Sequence, residues 1–217
     1  MADAVLTIAD KVYSSWSLRG YLACRLAGIA FRENLIPFAA ADFKARVLAV
    51  SAAGRVPVLA DGPVTVWDSL AIGEYLAETK PGLWPRDRAA RAHARAASAE
   101  MHSGFVALRA QFPMNLRRDR ARRTPHDAQA ASDIARVQAL WAEARGRFGK
   151  GGPFLYGEAS LADANFAPVA TRFRSYRVPL EPAAKAYVEA IYAWPLFQDW
   201  LKPALAETWH NPAYEDV

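Results

Sequence analysis

A change of organisation at Pro81 constrains this chain more than any other feature of its sequence. Before it, short β-type runs alternate with helical ones: Val5–Ile8 reads as a strand, Leu18–Ile29 as an apolar helix, Phe31–Leu35 as a strand and Asp42–Leu48 as a helix. Val56–Ala60 and Val64–Val66 then read as strands and Ser69–Glu78 as a helix. Asp61-Gly62 followed by Pro63 is a turn signal, which predicts a tight antiparallel hairpin between those last two strands. After Pro81-Gly82-Leu83-Trp84-Pro85 every signal is helical. Residues 86–112 are rich in Ala, Arg and Leu. Ala128–Phe148 places Ile134, Val137, Trp141, Ala144 and Phe148 three or four apart, and Lys150-Gly151-Gly152-Pro153 ends it. Ser160-Leu161-Ala162-Asp163 has the capping-box pattern and opens a helix through Ala170, with further helices across Ala183–Tyr192 and from Pro195.

The order βαβ, α, ββα is the layout of a thioredoxin-like domain. The expected architecture is therefore α/β plus all-α: a thioredoxin-like βαβαββα domain over residues 1–80, a linker at 81–85 and an all-helical domain over 86–217. With 53% hydrophobic residues among 217, the chain has ample apolar material for buried cores. Met1-Ala2-Asp3 lacks a basic leader region, and no apolar run reaches the roughly 20 residues that span a bilayer, so neither export nor membrane insertion is expected. Cys24 is the sole cysteine, which excludes an intrachain disulfide, a CxxC redox pair and a multi-thiolate metal site; no metal is expected, and a reducing cytoplasm fits. On the first helix, beside Leu22 and Leu26, that thiol reads as buried and inert.

Residues 1–80 carry eight Lys/Arg against eight Asp/Glu, so the whole net charge of +5 lies in residues 81–217. Much of it is concentrated in Arg117-Arg118-Asp119-Arg120-Ala121-Arg122-Arg123. That run has no interleaved aromatics to stack on bases, which weighs against a nucleic-acid site. It reads instead as a solvated helix end, with cations near the negative pole, or as a patch for acidic ligands.

Chemistry is concentrated in Tyr13-Ser14-Ser15-Trp16-Ser17-Leu18-Arg19, where the first strand runs through a short loop into the first helix. Hydroxyls at such a junction cap the helix, and free backbone N–H groups and the helix dipole also favour an anion there. Asp68-Ser69 stands at the start of the third helix, where Ser69 reads as the N-cap.

Four motifs in order, Ser14-Ser15-Trp16-Ser17-Leu18-Arg19, Arg55-Val56-Pro57-Val58-Leu59, Asp68-Ser69 and Ser160-Leu161-Ala162-Asp163, make the chain resemble the cytosolic glutathione transferases over almost its whole length. The serine motif is similar to that of the zeta class and related bacterial branches, with Trp16 and Leu18 departing from the usual Ser-Ser-Cys-Ser-Trp-Arg. The resemblance implies glutathione as co-substrate, with a hydroxyl facing its thiol. Ser14 matches that position, Ser15 is its neighbour and possible substitute, and Ser17 ranks last because it falls in the first helical turn. A hydroxyl donating to sulfur favours the ionised thiol, which is the better nucleophile.

The same resemblance assigns Val56-Pro57 as a cis-proline turn whose Val56 backbone pairs with the cysteinyl part of glutathione, although sequence alone would read Pro57 as opening an ordinary strand. It assigns Ser69 to the γ-glutamyl carboxylate and Asp68 to the γ-glutamyl ammonium. Lys44 and Arg55 are candidates for the glycyl carboxylate. On the first long helix of the second domain, His102, Phe105 and Arg109 are three or four apart and share a face, so they would meet a small hydrophobic or acidic electrophile. Ser103-Gly104 interrupts that helix and suggests close approach of a ligand or backbone. A homodimer is implied. The alternatives are a glutathione-dependent isomerase of maleylacetoacetate type, a peroxidase, or a transferase-fold protein that binds ligands without turnover.

Overall fold

A computed structural model describes residues 4–215. Its first half is a mixed sheet of strand order β2-β1-β3-β4, with β1 (Ala4–Ile8), β2 (Phe31–Leu35), β3 (Val58–Asp61) and β4 (Val64–Val66). β1 runs parallel to β2, with Leu6 opposite Glu33, and antiparallel to β3, with Leu6 opposite Leu59. The β3–β4 hairpin pairs Asp61 with Val64 across Gly62-Pro63, and Gly62 takes the left-handed φ of +57° that the turn requires. Three helices complete the unit: α1 (Ser15–Leu26), α2 (Phe43–Val50) and α3 (Ser69–Thr79). The strand–helix order expected from periodicity is the observed one. β3 begins at Val58 rather than Val56, which leaves Val56 and Pro57 in the loop ahead of it.

The remainder is helical: α4 (Arg88–Ser103), α5 (Val106–Gln111), α6 (Ala128–Phe148), α7 (Leu161–Ser175), α8 (Pro182–Ala193), α9 (Pro195–Ala206) and α10 (Pro212–Glu215). α7 is buried along nearly its whole length and packs directly on α1, so the two halves share one core. The expected capping box is present: the Asp163 carboxylate accepts from the Ser160 N–H at 2.9 Å and the Ser160 hydroxyl at 3.0 Å.

Two expectations are corrected. The single helix read over 86–112 is broken after Ser103, because Gly104 and Phe105 leave helical geometry and Phe105 adopts φ +54°. A Cβ on Gly104 would lie 2.7 Å from the Glu100 carbonyl oxygen, so the glycine permits a close approach of backbone and not of ligand. The arginine run at 117–123 is not a helix end: residues 112–127 form an irregular segment between α5 and α6. Within it, Arg117 donates to the carbonyls of Glu207 at 2.9 Å and Trp209 at 2.7 Å.

Candidate active site

Ser14 caps α1. The Ser17 N–H donates to Ser14 Oγ at 3.3 Å, the two hydroxyl oxygens lie 2.7 Å apart, and the Ala9 N–H donates to Ser17 Oγ at 3.0 Å. Ser14 lines a cleft with only 4% of its surface exposed. Ser15 points elsewhere: its hydroxyl accepts from Arg172 Nη2 at 3.2 Å. Arg172 comes from α7 and also donates to the Phe112 and Pro168 carbonyls, so its fork is fixed on three oxygens.

The cleft holds about 930 Å³ and is lined by Ser14, Arg55, Val56, Pro57, Asp68 and Ser69. The Val56–Pro57 peptide is cis, as the resemblance implies, and Trp67–Asp68 is cis as well. α1 brings Gly20 against the Pro57 ring so closely that a Cβ there would sit 2.8 Å from Pro57 Cγ. A glycine is required at this contact. Lys44 does not line the cleft: its ammonium donates to the Gly54 carbonyl at 3.1 Å and tethers the loop ahead of Arg55.

Ser69 is not the N-cap of α3, as its residue type suggests. Asp68 is, with Oδ1 accepting from the Leu70 N–H at 2.8 Å, because Asp68 carries the extended backbone of the cap and Ser69 is already helical. Freed from capping, the Ser69 hydroxyl is 3% exposed as a residue and has no hydrogen-bond partner. A buried hydroxyl without a partner at the first turn of a helix is suited to a carboxylate. Asp68 Oδ2 faces the other domain and lies 2.9 Å from His102 Nε2.

His102 and Arg109 both reach the cleft and flank Trp16, with the His102 ring at 5.2 Å and the Arg109 guanidinium at 5.5 Å. Phe105 does not join them. The helix break turns it into the core, where it is 7% exposed, so the shared face expected from continuous helical spacing does not exist. A smaller cavity of about 330 Å³ adjoins the cleft through Ser14, Trp16 and Arg109, and is closed by Arg172 and Tyr214.

This corner is strongly cationic. Burial and the neighbouring Arg109 push Arg172 down to about 10. Arg19, fully buried with its Nε donating to the Asn165 carbonyl at 2.9 Å, is held well below its usual range by burial and by Arg172 and Arg109. Guanidiniums that mutually disfavour their own charge favour an anion beside them. Arg172 carries no sign of this role in the sequence. Arg172 reads as an ordinary basic residue in a helix, 157 positions from Ser15. Ser17 carries only the hydroxyl that the motif itself displays.

Residues 13–79 match the family described as glutathione S-transferase, N-terminal domain. That segment, most of the sheet-containing half, is similar to the family. A probable maleylacetoacetate isomerase of Caenorhabditis elegans is 36% identical over 104 residues, which are 45% of this chain and 48% of that protein. The chain thus spans about half the length of the curated relative it matches. Similarity in fold extends further. A glutathione transferase homologue from Burkholderia BGR1, solved with bound glutathione, superposes with a TM-score of 0.71 at 23% identity, covering 95% of this chain and 100% of that one. A theta-class enzyme from Xanthomonas axonopodis pv. citri, also with glutathione bound, gives 0.67 at 22% identity, covering 93% and 98%. The glutathione transferase fold therefore includes the helical half of the chain, beyond the matched family segment. Among the described residues, no helix is long and apolar enough to cross a membrane, and no cluster of His, Cys, Asp and Glu could hold a metal ion.

Proposed function

We propose that this protein is a glutathione transferase that holds the tripeptide extended along the cleft, with its sulfur at Ser14, and directs the thiolate at a small electrophile beside Trp16. The observation that carries the reading is that two hydroxyls, those of Ser14 and Ser69, line one cleft. Ser14 is backed by Ser17, and Ser69 has no hydrogen-bond partner of its own. Ser69 takes the γ-glutamyl carboxylate, Asp68 the ammonium, and the Val56 backbone the cysteinyl unit. Arg55 is the cation free to meet the glycyl carboxylate, since Lys44 is engaged with Gly54.

A thiol of ordinary pKa, about 8.5, is mostly protonated at neutral pH. A hydrogen bond from Ser14 and the field of Arg19, Arg109 and Arg172 both favour the anion. The thiolate then forms a carbon–sulfur bond with the electrophile, and the electron pair leaves with a departing group or is protonated after addition to a double bond. Holding both reactants in one geometry accounts for much of the acceleration.

The cationic corner favours an electrophile that carries a carboxylate. The Caenorhabditis elegans relative supports a second reading, a cis–trans isomerase of maleylacetoacetate type, in which the thiolate adds, the carbon–carbon bond rotates and elimination restores the thiol. Turnover of the cis-diketo acid without net consumption of glutathione identifies that reaction. A homodimer in the cytoplasm belongs to the same reading, and light scattering should return twice the chain mass.

The deciding experiment titrates the thiol of bound glutathione by its thiolate absorbance in the parent, Ser14→Ala and Ser15→Ala. A markedly raised pKa is expected in Ser14→Ala and a smaller change in Ser15→Ala. Equal values in all three remove Ser14 from the mechanism, and retention of glutathione without turnover across a broad electrophile panel makes the protein a binder.

A further inference from the structure

In the loop that delivers Ser14, the backbone of Lys11 and Val12 is held by the helical domain, while the Lys11 ammonium pairs with Glu33 of β2 at 2.6 Å. Between β1 and α1, the Lys11 N–H donates to Glu207 Oε1 at 2.9 Å and the Val12 N–H to Glu207 Oε2 at 3.0 Å. The Lys11 carbonyl accepts from Trp200 Nε1 at 3.0 Å, and the Val12 carbonyl from the Leu116 N–H at 3.2 Å. All four backbone polar groups of these two residues are thus bound by side chains or backbone nearly 200 or about 100 positions away. Ser14 follows two residues later, its own N–H turned back onto the Asp10 carbonyl at 2.8 Å.

Glu207 is itself fixed. It follows α9, and Arg117 donates to its carbonyl at 2.9 Å while a second nitrogen of the same guanidinium reaches the Trp209 carbonyl and the Tyr13 hydroxyl. Tyr13 in turn donates to the Glu215 carboxylate at 2.6 Å. A carboxylate accepting two adjacent backbone N–H groups is a strong, charge-assisted grip on loop direction.

We infer that Glu207, locked by Arg117, is a positioning residue that sets where the Ser14 hydroxyl meets the reacting sulfur. The inference rests on the reading that Ser14 faces the thiol of glutathione. It also gives a role to the first member of the arginine run: Arg117 is a clasp between the segment after α9 and the Ser14 loop.

The test uses the full chain with Glu207→Ala, Glu207→Gln and Arg117→Lys, each first shown to be folded by circular dichroism. Amide exchange at Lys11 and Val12, measured without glutathione, should quicken by about tenfold or more in Glu207→Ala as the two N–H groups lose their acceptors. The thiol pKa of bound glutathione should rise by about one, a tenfold loss of thiolate at a given pH below it. Affinity for S-methylglutathione, which needs no thiolate, should stay within about twofold of the parent, because the clasp orients Ser14 and does not touch the tripeptide. Glu207→Gln keeps one acceptor and should fall between, as should Arg117→Lys.

Parent-like exchange at Lys11 and Val12 in a folded Glu207→Ala protein overturns the clasp. So does a parent-like thiol pKa, or a loss of S-methylglutathione affinity matching the loss of thiolate. If the parent itself leaves the glutathione thiol at its solution pKa, the functional reading fails instead, and the exchange measurement alone decides the clasp.

Discussion

The hydroxyl oxygens of Ser14 and Ser17 lie 2.7 Å apart, and Ser17 Oγ also accepts the Ala9 N–H. A serine hydroxyl has one proton to give and two lone pairs to fill. Ser14 Oγ donates to Ser17 Oγ here; if a sulfur anion claims that proton, Ser17, still accepting from Ala9, can turn its own proton onto Ser14 in exchange. On the proposed reading, Ser17 is the residue that lets Ser14 redirect its proton to the sulfur.

Ser17→Ala should therefore raise the thiol pKa of bound glutathione and lower kcat/KM by about tenfold, less than Ser14→Ala. It should also cost about 1–3 kcal/mol in urea unfolding, because the Ala9 N–H is left without an acceptor in the core. A variant with parent-like thiol pKa but lowered stability assigns Ser17 to the fold alone.

His102 bridges the domains to Asp68 at 2.9 Å, with its ring edge on Trp16. The pair is partly exposed, so removing the imidazole should weaken Asp68 by about 1 kcal/mol, a roughly fivefold rise in KM for glutathione with kcat little changed. Asp68→Asn keeps an oxygen to cap α3 but loses the charge, so it should raise KM more than His102→Ala while leaving the melting temperature nearly unmoved. Steady-state kinetics at varied glutathione separates these outcomes from a change in chemistry.

Arg109 is the one of the three clustered guanidiniums that lines the cleft and is only half-buried. Arg109→Ala should lower kcat/KM for a carboxylate-bearing electrophile about tenfold more than for a neutral one of similar size. Equal losses for both substrates would place the residue in packing against Trp16 and out of substrate choice.

The parts of this molecule that were readable in its sequence are those governed by local rules. The β1–α1–β2 and β3–β4–α3 order follows from periodicity, the hairpin from Asp61-Gly62, and the capping box from Ser160 and Asp163. Adjacent candidates defeated the reading at Asp68-Ser69, because both residue types cap helices and only backbone geometry decides which does. The shared face of His102, Phe105 and Arg109 failed for a related reason: helical spacing extrapolates through Gly104, whereas the chain turns there. Arg172, Glu207 and the Arg117 clasp were invisible, since each acts on the Ser14 loop from far along the chain, and no spacing rule reaches that distance.

Asp10 offers a pH-dependent readout of the same loop. It is 1% exposed, accepts the Phe38 N–H at 3.2 Å and is pushed up to about 6, chiefly by burial, with the Glu207 charge adding to the rise and the Phe38 N–H opposing it. An unfolded aspartate titrates near 4. Between those values the folded chain holds a proton that the unfolded chain lacks. The stability Asp10 contributes is therefore fully present below about pH 4 and is lost as pH rises through about 6. Asp10→Asn keeps an oxygen for the Phe38 N–H and has no proton to lose. It should match the parent in urea unfolding near pH 4 and exceed it by about 1–3 kcal/mol near pH 7.5, groups common to both proteins cancelling in the difference. An equal gap at both pH values would show that Asp10 does not titrate in this window. In a Glu207→Ala background the gap should shrink, since one of the charges that raises Asp10 is gone. That double-mutant coupling reads directly whether the carboxylate holding Lys11 and Val12 is felt at the start of the loop.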